Sequence, residues 1–166
     1  MGCDIHTYVE YREPGYNGWI SFGGRINPGR DYEMFGYIAG ARMGIALTPA
    51  KGIPSNLGYR ANSDWYLIID DKFANMDGYT SLKNALQWQK QGHKIIEHPD
   101  RPGMPWQIEH PDWHTPTWLT LKEYRACLLE NPDGREIVDD YWAIEGAMAA
   151  LVKRDNDVRL VCWFDN

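Results

Sequence analysis

The segment Val158-Arg159-Leu160-Val161-Cys162-Trp163-Phe164 is the most strand-like part of this 166-residue chain, and it decides the fold. It is almost continuously apolar, as expected of a strand that is buried on both faces. We therefore place it at the centre of a sheet. Residues 5–12 are the next most strand-like stretch, because β-branched and aromatic side chains dominate them. We predict that these first and last strands pair within one sheet.

The rest of the chain alternates between short strands, helices and long loops. We predict an α+β fold over a single domain, residues 1–166: a small, mostly antiparallel sheet with the N- and C-terminal strands paired, three to four helices packed on it, and long ordered loops. The capping and turn signals place the other elements as follows: a turn at 14–18, a strand at 19–22, a helix from 31 to 42–44, a loop at 43–63, a strand at 65–69, a helix from 80 or 81 to 90, a loop at 93–117, a helix at 120–130, a turn at 131–134 and a helix at 136–153.

The composition limits the kinds of partner. With 17 basic and 23 acidic residues the net charge is −6, which argues against binding along a nucleic-acid backbone but allows a small anionic ligand held by a few cations. The three cysteines have no metal-ligand spacing, and no apolar stretch is long enough to cross a membrane. We expect a cytoplasmic protein without a metal, a cofactor, a membrane or a long nucleic-acid partner; assembly into a homo-oligomer stays open.

Several stretches resemble a known family. The opening, residues 1–6 (Met-Gly-Cys-Asp-Ile-His), and the ending, residues 158–166, are similar to those of a family of small uncharacterised proteins encoded mainly by bacteriophages and some bacteria. The other matching stretches are residues 29–35, 39–42, 51–54 and 114–121. The chain departs from the family pattern at four positions: Asp31 for Asn, Lys51 for Arg, and Thr115 and Thr117 for Ser. The resemblance implies a phage origin and the cytoplasm of a bacterial host, and it transfers no activity.

Asp4 and His6 are the first candidate pair. Residues at i and i+2 of a strand point to the same face, so both side chains can enter one site. Three interpretations stay open: a strand start in which both are structural, a functional site without metal, and a metal site, for which further ligands are lacking. Cys3 is a candidate nucleophile with His6 as its base, although a buried structural cysteine is the commoner case.

The region 93–117 holds four of the five histidines and repeats Glu-His-Pro-Asp at 97–100 and 109–112. A three-ligand metal site at 110, 112 and 114 is conceivable, but a solvated acidic surface is the favoured interpretation. His114 differs because it lies in a family-like stretch and is expected to precede a helix N-terminus, where free amides attract anions. Thr115 adds a hydroxyl group to the same place.

Basic and aromatic residues are interspersed between positions 30 and 65. Aromatic rings among cations can stack on a base and clamp a phosphate. The eight tryptophans of the chain also exceed what a core of this size needs. The candidate ligand-binding residues are Arg30, Tyr32, Phe35, Arg42, Lys51, Thr115 and Trp118.

Two functions are compatible with these residues, and the sequence does not decide whether the protein is an enzyme. The first is a phage-encoded binding protein that sequesters a small nucleotide-type ligand, such as a host defence signal. The alternative is a hydrolase or phosphodiesterase acting on such a ligand, with His6 and His114 as acid and base and Asp4 orienting His6.

Overall fold

The computed structural model of the protein describes residues 2–42, 46–130 and 134–166. The chain divides into two compact units, residues 1–61 with 114–166 and residues 62–113, and each unit contains one four-stranded sheet. The α+β class is therefore confirmed. The single domain over 1–166 stays a prediction, because compactness within a chain does not show which parts fold independently. The elements, in chain order, are β1 (Asp4–Arg12), β2 (Ile20–Ser21), α1 (Tyr32–Ala39), α2 (Tyr59–Asn62), β3 (Tyr66–Ile69), a 3-10 turn (Asp71–Phe73), β4 (Tyr79–Ser81), α3 (Leu82–Lys90), β5 (Ile95–His98), β6 (Arg101–Ile108), β7 (His114–Thr120), α4 (Leu121–Leu129), α5 (Asp139–Val152) and β8 (Asp157–Asp165).

The sheet of the first unit has the strand order β2-β1-β8-β7, and all its pairs are antiparallel. β8 lies between β1 and β7, and its residues 158–164 are all buried. The register with β1 runs without interruption from Asp4 opposite Asp165 to Arg12 opposite Asp157. The predicted pairing of the first and last strands, and the central place of 158–164, are confirmed.

The two faces of this sheet differ in character. Ile5, Val9, Leu160 and Phe164 lie on one face and join a core with buried residues of α1, α4 and α5. Burial of each large apolar side chain contributes about 1.5–3 kcal/mol. The opposite face carries polar and aromatic side chains, and these are His6, Tyr8, Glu10, Arg159 and Trp163.

Local capping explains where α1 begins and ends and where α4 begins. The Asp31 side chain accepts a hydrogen bond from the Met34 amide and caps α1. Gly40 ends α1 with φ +73°, a conformation in which glycine meets no Cβ penalty, so the helix is shorter than the predicted end at 42–44. Thr120 and Glu123 form a capping box at the start of α4.

The second unit has the strand order β4-β3-β6-β5, with β3 and β4 parallel and the other pairs antiparallel. The predicted loop at 93–117 is wrong, because β5, β6 and the first part of β7 occupy it. Its prolines had suggested a loop. Pro105 instead lies at a register shift between β5 and β6, and Pro116 lies at an irregularity of the edge strand β7, where the missing amide breaks no ladder.

Two further predictions, a loop at 43–63 and a turn at 131–134, include residues that the structure does not describe. The predicted loop at 43–63 contains the short helix α2, and residues 43–45 lie outside the described residues. Most of the predicted turn at 131–134 also lies outside them, because residues 131–133 are not described.

Candidate functional site

Six predicted site residues come together at one end of the first unit's sheet, where β1 and β7 begin and β8 ends. We call this region the His114 corner. Its residues are Asp4, Arg30, Tyr32, Arg42, His114 and Thr115. They come from three separate segments of the chain.

Arg30 is held at the corner by Asp4. Its Nε and Nη2 atoms donate to the two Asp4 carboxylate oxygens at 2.5 and 3.0 Å. This fork lowers the pKa of Asp4, chiefly through the hydrogen bond from Arg30. A Cβ atom on Gly2 would lie 2.5 Å from Arg30 Nη1, so any larger residue there would displace the guanidinium group.

Arg42 approaches the corner from the end of α1. Its guanidinium carbon lies 5.9 Å from the centroid of the Tyr32 ring, and Nη2 donates to Asn166 Oδ1 at 3.0 Å. The Tyr32 hydroxyl accepts a hydrogen bond from the Cys3 amide at 3.4 Å. Arg42 has φ +66°, which is unfavourable for any residue with a Cβ atom. The exposed guanidinium group thus extends from a strained backbone position and is held by its contacts with Asn166 and Tyr32.

His114 lies at the start of β7, and the prediction that it precedes a helix N-terminus is wrong, because residues 114–120 pair with β8 and α4 begins only at Leu121. Its Nδ1 atom shares a hydrogen bond of 2.9 Å with Thr115 Oγ1, and its ring stacks on Phe164 at 6.0 Å. Burial lowers the pKa of His114, and the positive charge of Arg42 lowers it further. The imidazole is therefore neutral at physiological pH.

Thr115 is the second strained residue of the corner. It has φ +48°, a rare conformation for a β-branched residue. Such strain costs about 1–3 kcal/mol and persists only where the surrounding structure imposes it. Two strained residues, Arg42 and Thr115, thus belong to one small region.

His6 lies on the other face of the sheet. It pairs with Trp163 across the strands and stacks on that ring at 6.0 Å, whereas His114 pairs with Phe164. Neighbouring residues of β8 point to opposite faces, so the two imidazoles are separated by the sheet. His6 Nδ1 lies 3.0 Å from Arg25 Nη1, and Nε2 lies 2.7 Å from Asp165 Oδ2. Asp165, rather than Asp4, orients His6.

The geometry also reassigns Cys3. Its Sγ atom lies 3.9 Å from His114 Nε2, so its neighbouring imidazole is His114 and not His6. Cys3 is completely buried. The pair has a base next to a thiol, but the sulfur has no access to a ligand in this conformation.

Lys51 and Trp118 lie away from the corner, near the start of α4. Lys51 Nζ forms an ion pair with Glu123 at 2.7 Å and lies 4.0 Å from the centroid of the Trp118 ring. The Lys51 amide donates to Thr117 Oγ1 at 3.1 Å. These contacts fasten the loop before α2 to β7 and α4. Phe35, with 0% exposure, packs between Tyr32 and Phe164 and offers no ring face to a ligand.

Sequence reasoning missed Asn166, Asp165 and Arg25. The first two belong to the family-like ending, where only the strand pattern was considered. Arg25 lies in a glycine-rich loop and carries no motif. Their contacts depend on which residues of β1 and β8 face one another, and this is not visible in either segment alone.

The described residues contain no cluster of three or more His, Cys, Asp or Glu side chains suited to a metal ion. No helix in the described part of the chain has the length and apolar character needed to cross a membrane. In the comparisons with known proteins, no family model, curated protein or solved structure matches this chain.

Proposed function

We propose that this protein binds a small anionic ligand of the nucleotide type at the His114 corner and sequesters it without converting it. The observation that carries the proposal is the placement of two exposed guanidinium groups at this corner: that of Arg42 lies 5.9 Å from the centroid of the Tyr32 ring, and that of Arg30 lies within electrostatic reach of the Tyr32 hydroxyl. This combination suits a phosphate next to an aromatic base.

Arg30 supplies directed donors. Asp4 accepts from Nε and Nη2, and among the described residues no hydrogen bond engages Nη1 or the second N–H of Nη2. A guanidinium group can donate two parallel hydrogen bonds to a phosphate from that outer edge. Because Asp4 already fixes the side chain, less conformational entropy is lost on binding.

Tyr32, Arg42 and His114 supply the surface beside those donors. Tyr32 and His114 are partly exposed and aromatic, and His114 is uncharged at neutral pH for the reasons above. The strain at Arg42 and Thr115 favours a preformed site, since strained backbone is concentrated at binding and catalytic positions.

Sequestration is favoured over hydrolysis because the two histidines of the hydrolase hypothesis lie on opposite faces of the sheet. A general acid and a general base must both reach the reacting atoms within hydrogen-bonding distance. With the resemblance to phage proteins, the ligand class that we propose is a nucleotide signal of host defence, bound in the cytoplasm of the bacterial host.

Calorimetric titration of a panel of mononucleotides, dinucleotides and cyclic dinucleotides tests the proposal. We expect Arg30→Gln and Arg42→Gln to weaken binding of the preferred nucleotide by about 1.5–3 kcal/mol each, as for a lost charge-assisted hydrogen bond. Arg12→Gln is the matched control, because Arg12 forms a similar ion pair with Asp157 at the other end of β1.

The panel is also recovered and analysed by chromatography after incubation. Intact nucleotide supports sequestration, whereas a product would favour the hydrolase. Absence of binding across the panel, or equal affinities of the Arg30→Gln, Arg42→Gln and Arg12→Gln variants, would refute the proposed site.

A further inference from the structure

The repeated Glu-His-Pro-Asp sequence of the second unit forms the same turn twice. In both copies the aspartate amide donates to the histidine Nδ1 atom at 3.1 Å, from Asp100 to His98 and from Asp112 to His110. The Nδ1 atom of each histidine is therefore an acceptor within its own turn. Each histidine ring also has a tryptophan neighbour, Trp106 or Trp113.

The second copy adjoins further aromatic rings of β3 and α3, which the first copy does not among the described residues. The Tyr66 ring lies 4.8 Å from the His110 ring at an interplanar angle of 83°, and 5.9 Å from the Trp88 ring at 60°. All three rings are partly exposed. Tyr66 thus contacts both other rings, and each of the three side chains keeps part of its surface open to solvent.

Two exposed carboxylates lie beside these rings. Asp112 Oδ2 is 3.7 Å from His110 Nδ1. Burial raises the pKa of Tyr66, and so do the negative charges of Asp77 and Asp112, which places both carboxylates within electrostatic reach of the phenol. Negative charge next to ring faces is the opposite of the environment at the His114 corner.

We propose that Tyr66, Trp88 and His110, together with Asp77 and Asp112, form a second binding site for a compact organic cation of the quaternary ammonium class. The ring quadrupoles attract a cation whose charge is spread over methyl groups, and such a cation loses little hydration when it leaves water. The two carboxylates add long-range attraction. This site is independent of the proposed nucleotide site, since every residue in it belongs to the second unit.

The test uses the full chain and choline as the probe, with tryptophan fluorescence and NMR as the readouts. We expect saturable binding, and we expect the uncharged isostere 3,3-dimethylbutan-1-ol not to compete. Tyr66→Leu should weaken choline binding about three- to tenfold, as for one lost cation–π contact. Asp112→Asn should weaken it several-fold without affecting the fold, because Asp112 is exposed.

The first copy of the turn provides the control. Trp106→Leu removes the tryptophan beside His98 and should leave choline affinity unchanged. Circular dichroism checks that each variant is folded. If Tyr66→Leu does not fold, the comparison of Asp112→Asn with the wild type still tests the site. The proposal is overturned if binding does not saturate, if the uncharged isostere competes equally, or if Asp112→Asn and Trp106→Leu bind choline alike.

Discussion

Replacement of Arg159 by methionine should be among the most damaging single substitutions in the first unit. Glu10 and Arg159 face each other across β1 and β8; Arg159 Nε donates a hydrogen bond of 2.8 Å to Glu10 Oε2, and Nη2 lies 2.7 Å from the same oxygen in an ion pair. Both residues are buried, with 0% and 5% of their surface exposed. Burial lowers the pKa of Arg159, because desolvation disfavours its charged form, while the charge of Glu10 acts in the opposite direction.

Further contacts make this pair the anchor of the loop before α2. Glu10 Oε1 accepts from the Gly58 amide at 2.6 Å, and Arg159 Nη2 donates to the Asn56 carbonyl at 3.1 Å. The guanidinium group also lies 3.9 Å from the centroid of the Trp19 ring. Arg159→Met keeps the volume of the side chain but removes its charge, so the Glu10 carboxylate stays buried without its cation.

The expected loss is about 3–5 kcal/mol, the usual result of breaking a buried ion pair from one side. That is a large part of a typical stability of about 5–15 kcal/mol. The double variant Glu10→Gln/Arg159→Met should recover most of the loss, because no buried charge is left and the glutamine oxygen can still accept from Gly58. Urea unfolding at neutral pH measures the stability of the wild type, the single variant and the double variant. A loss below about 1 kcal/mol in the single variant, outside the range for buried pairs, or a double variant no more stable than the single one, would refute the reasoning.

Two further predictions concern pH. The pKa of His114 is lowered in the folded state. Below the unfolded value of about 6.5 the unfolded chain therefore binds more protons than the folded chain, and the free energy of unfolding decreases as the pH is lowered. In His114→Asn this part of the decrease should be absent when thermal unfolding is followed from pH 7.5 to 5. The pKa of Glu109 is raised by burial, so its ionisation costs stability as pH rises above the unfolded value of about 4.3. Glu109→Gln, which can still accept from the Lys94 amide, should therefore be more stable than the wild type at pH 7 but not at pH 4; equal differences at both values would contradict this.

The strands and helices that the sequence predicted correctly are those whose stability is encoded locally. Residues 158–164 are apolar at nearly every position, and only a central strand buries both of its faces. Asp31 and Thr120 are caps whose partners lie three residues ahead, so the helix starts are visible in the sequence. At 93–117 the local signal was misleading, because its prolines occupy the positions at which a strand tolerates them.

The site could be predicted less completely because its geometry depends on register. Alternation within one strand predicted that positions 4 and 6 share a face of β1, but Asp4 is the first residue of the strand and pairs with Arg30, whereas His6 pairs with Asp165, so the two side chains do not form one site. The sequence could not show on which face His114 lies, because two strand pairings intervene, from β1 to β8 and from β8 to β7. The irregularity between His114 and Thr117 removes even the simple alternation along β7.

The register also explains why the His114 corner should work as a unit. His114 shares its face with Phe164 and Ile5, and a slip of one residue between β7 and β8 would move its ring to the face of His6. The His114 ring would then lose its contact with Cys3 and its electrostatic interaction with Arg42. The same slip would move Leu119, which packs in the core opposite Leu160, to the other face of the sheet, and the loss of this burial prevents it. The stability of the central strand and the geometry of the proposed nucleotide site therefore have the same physical origin.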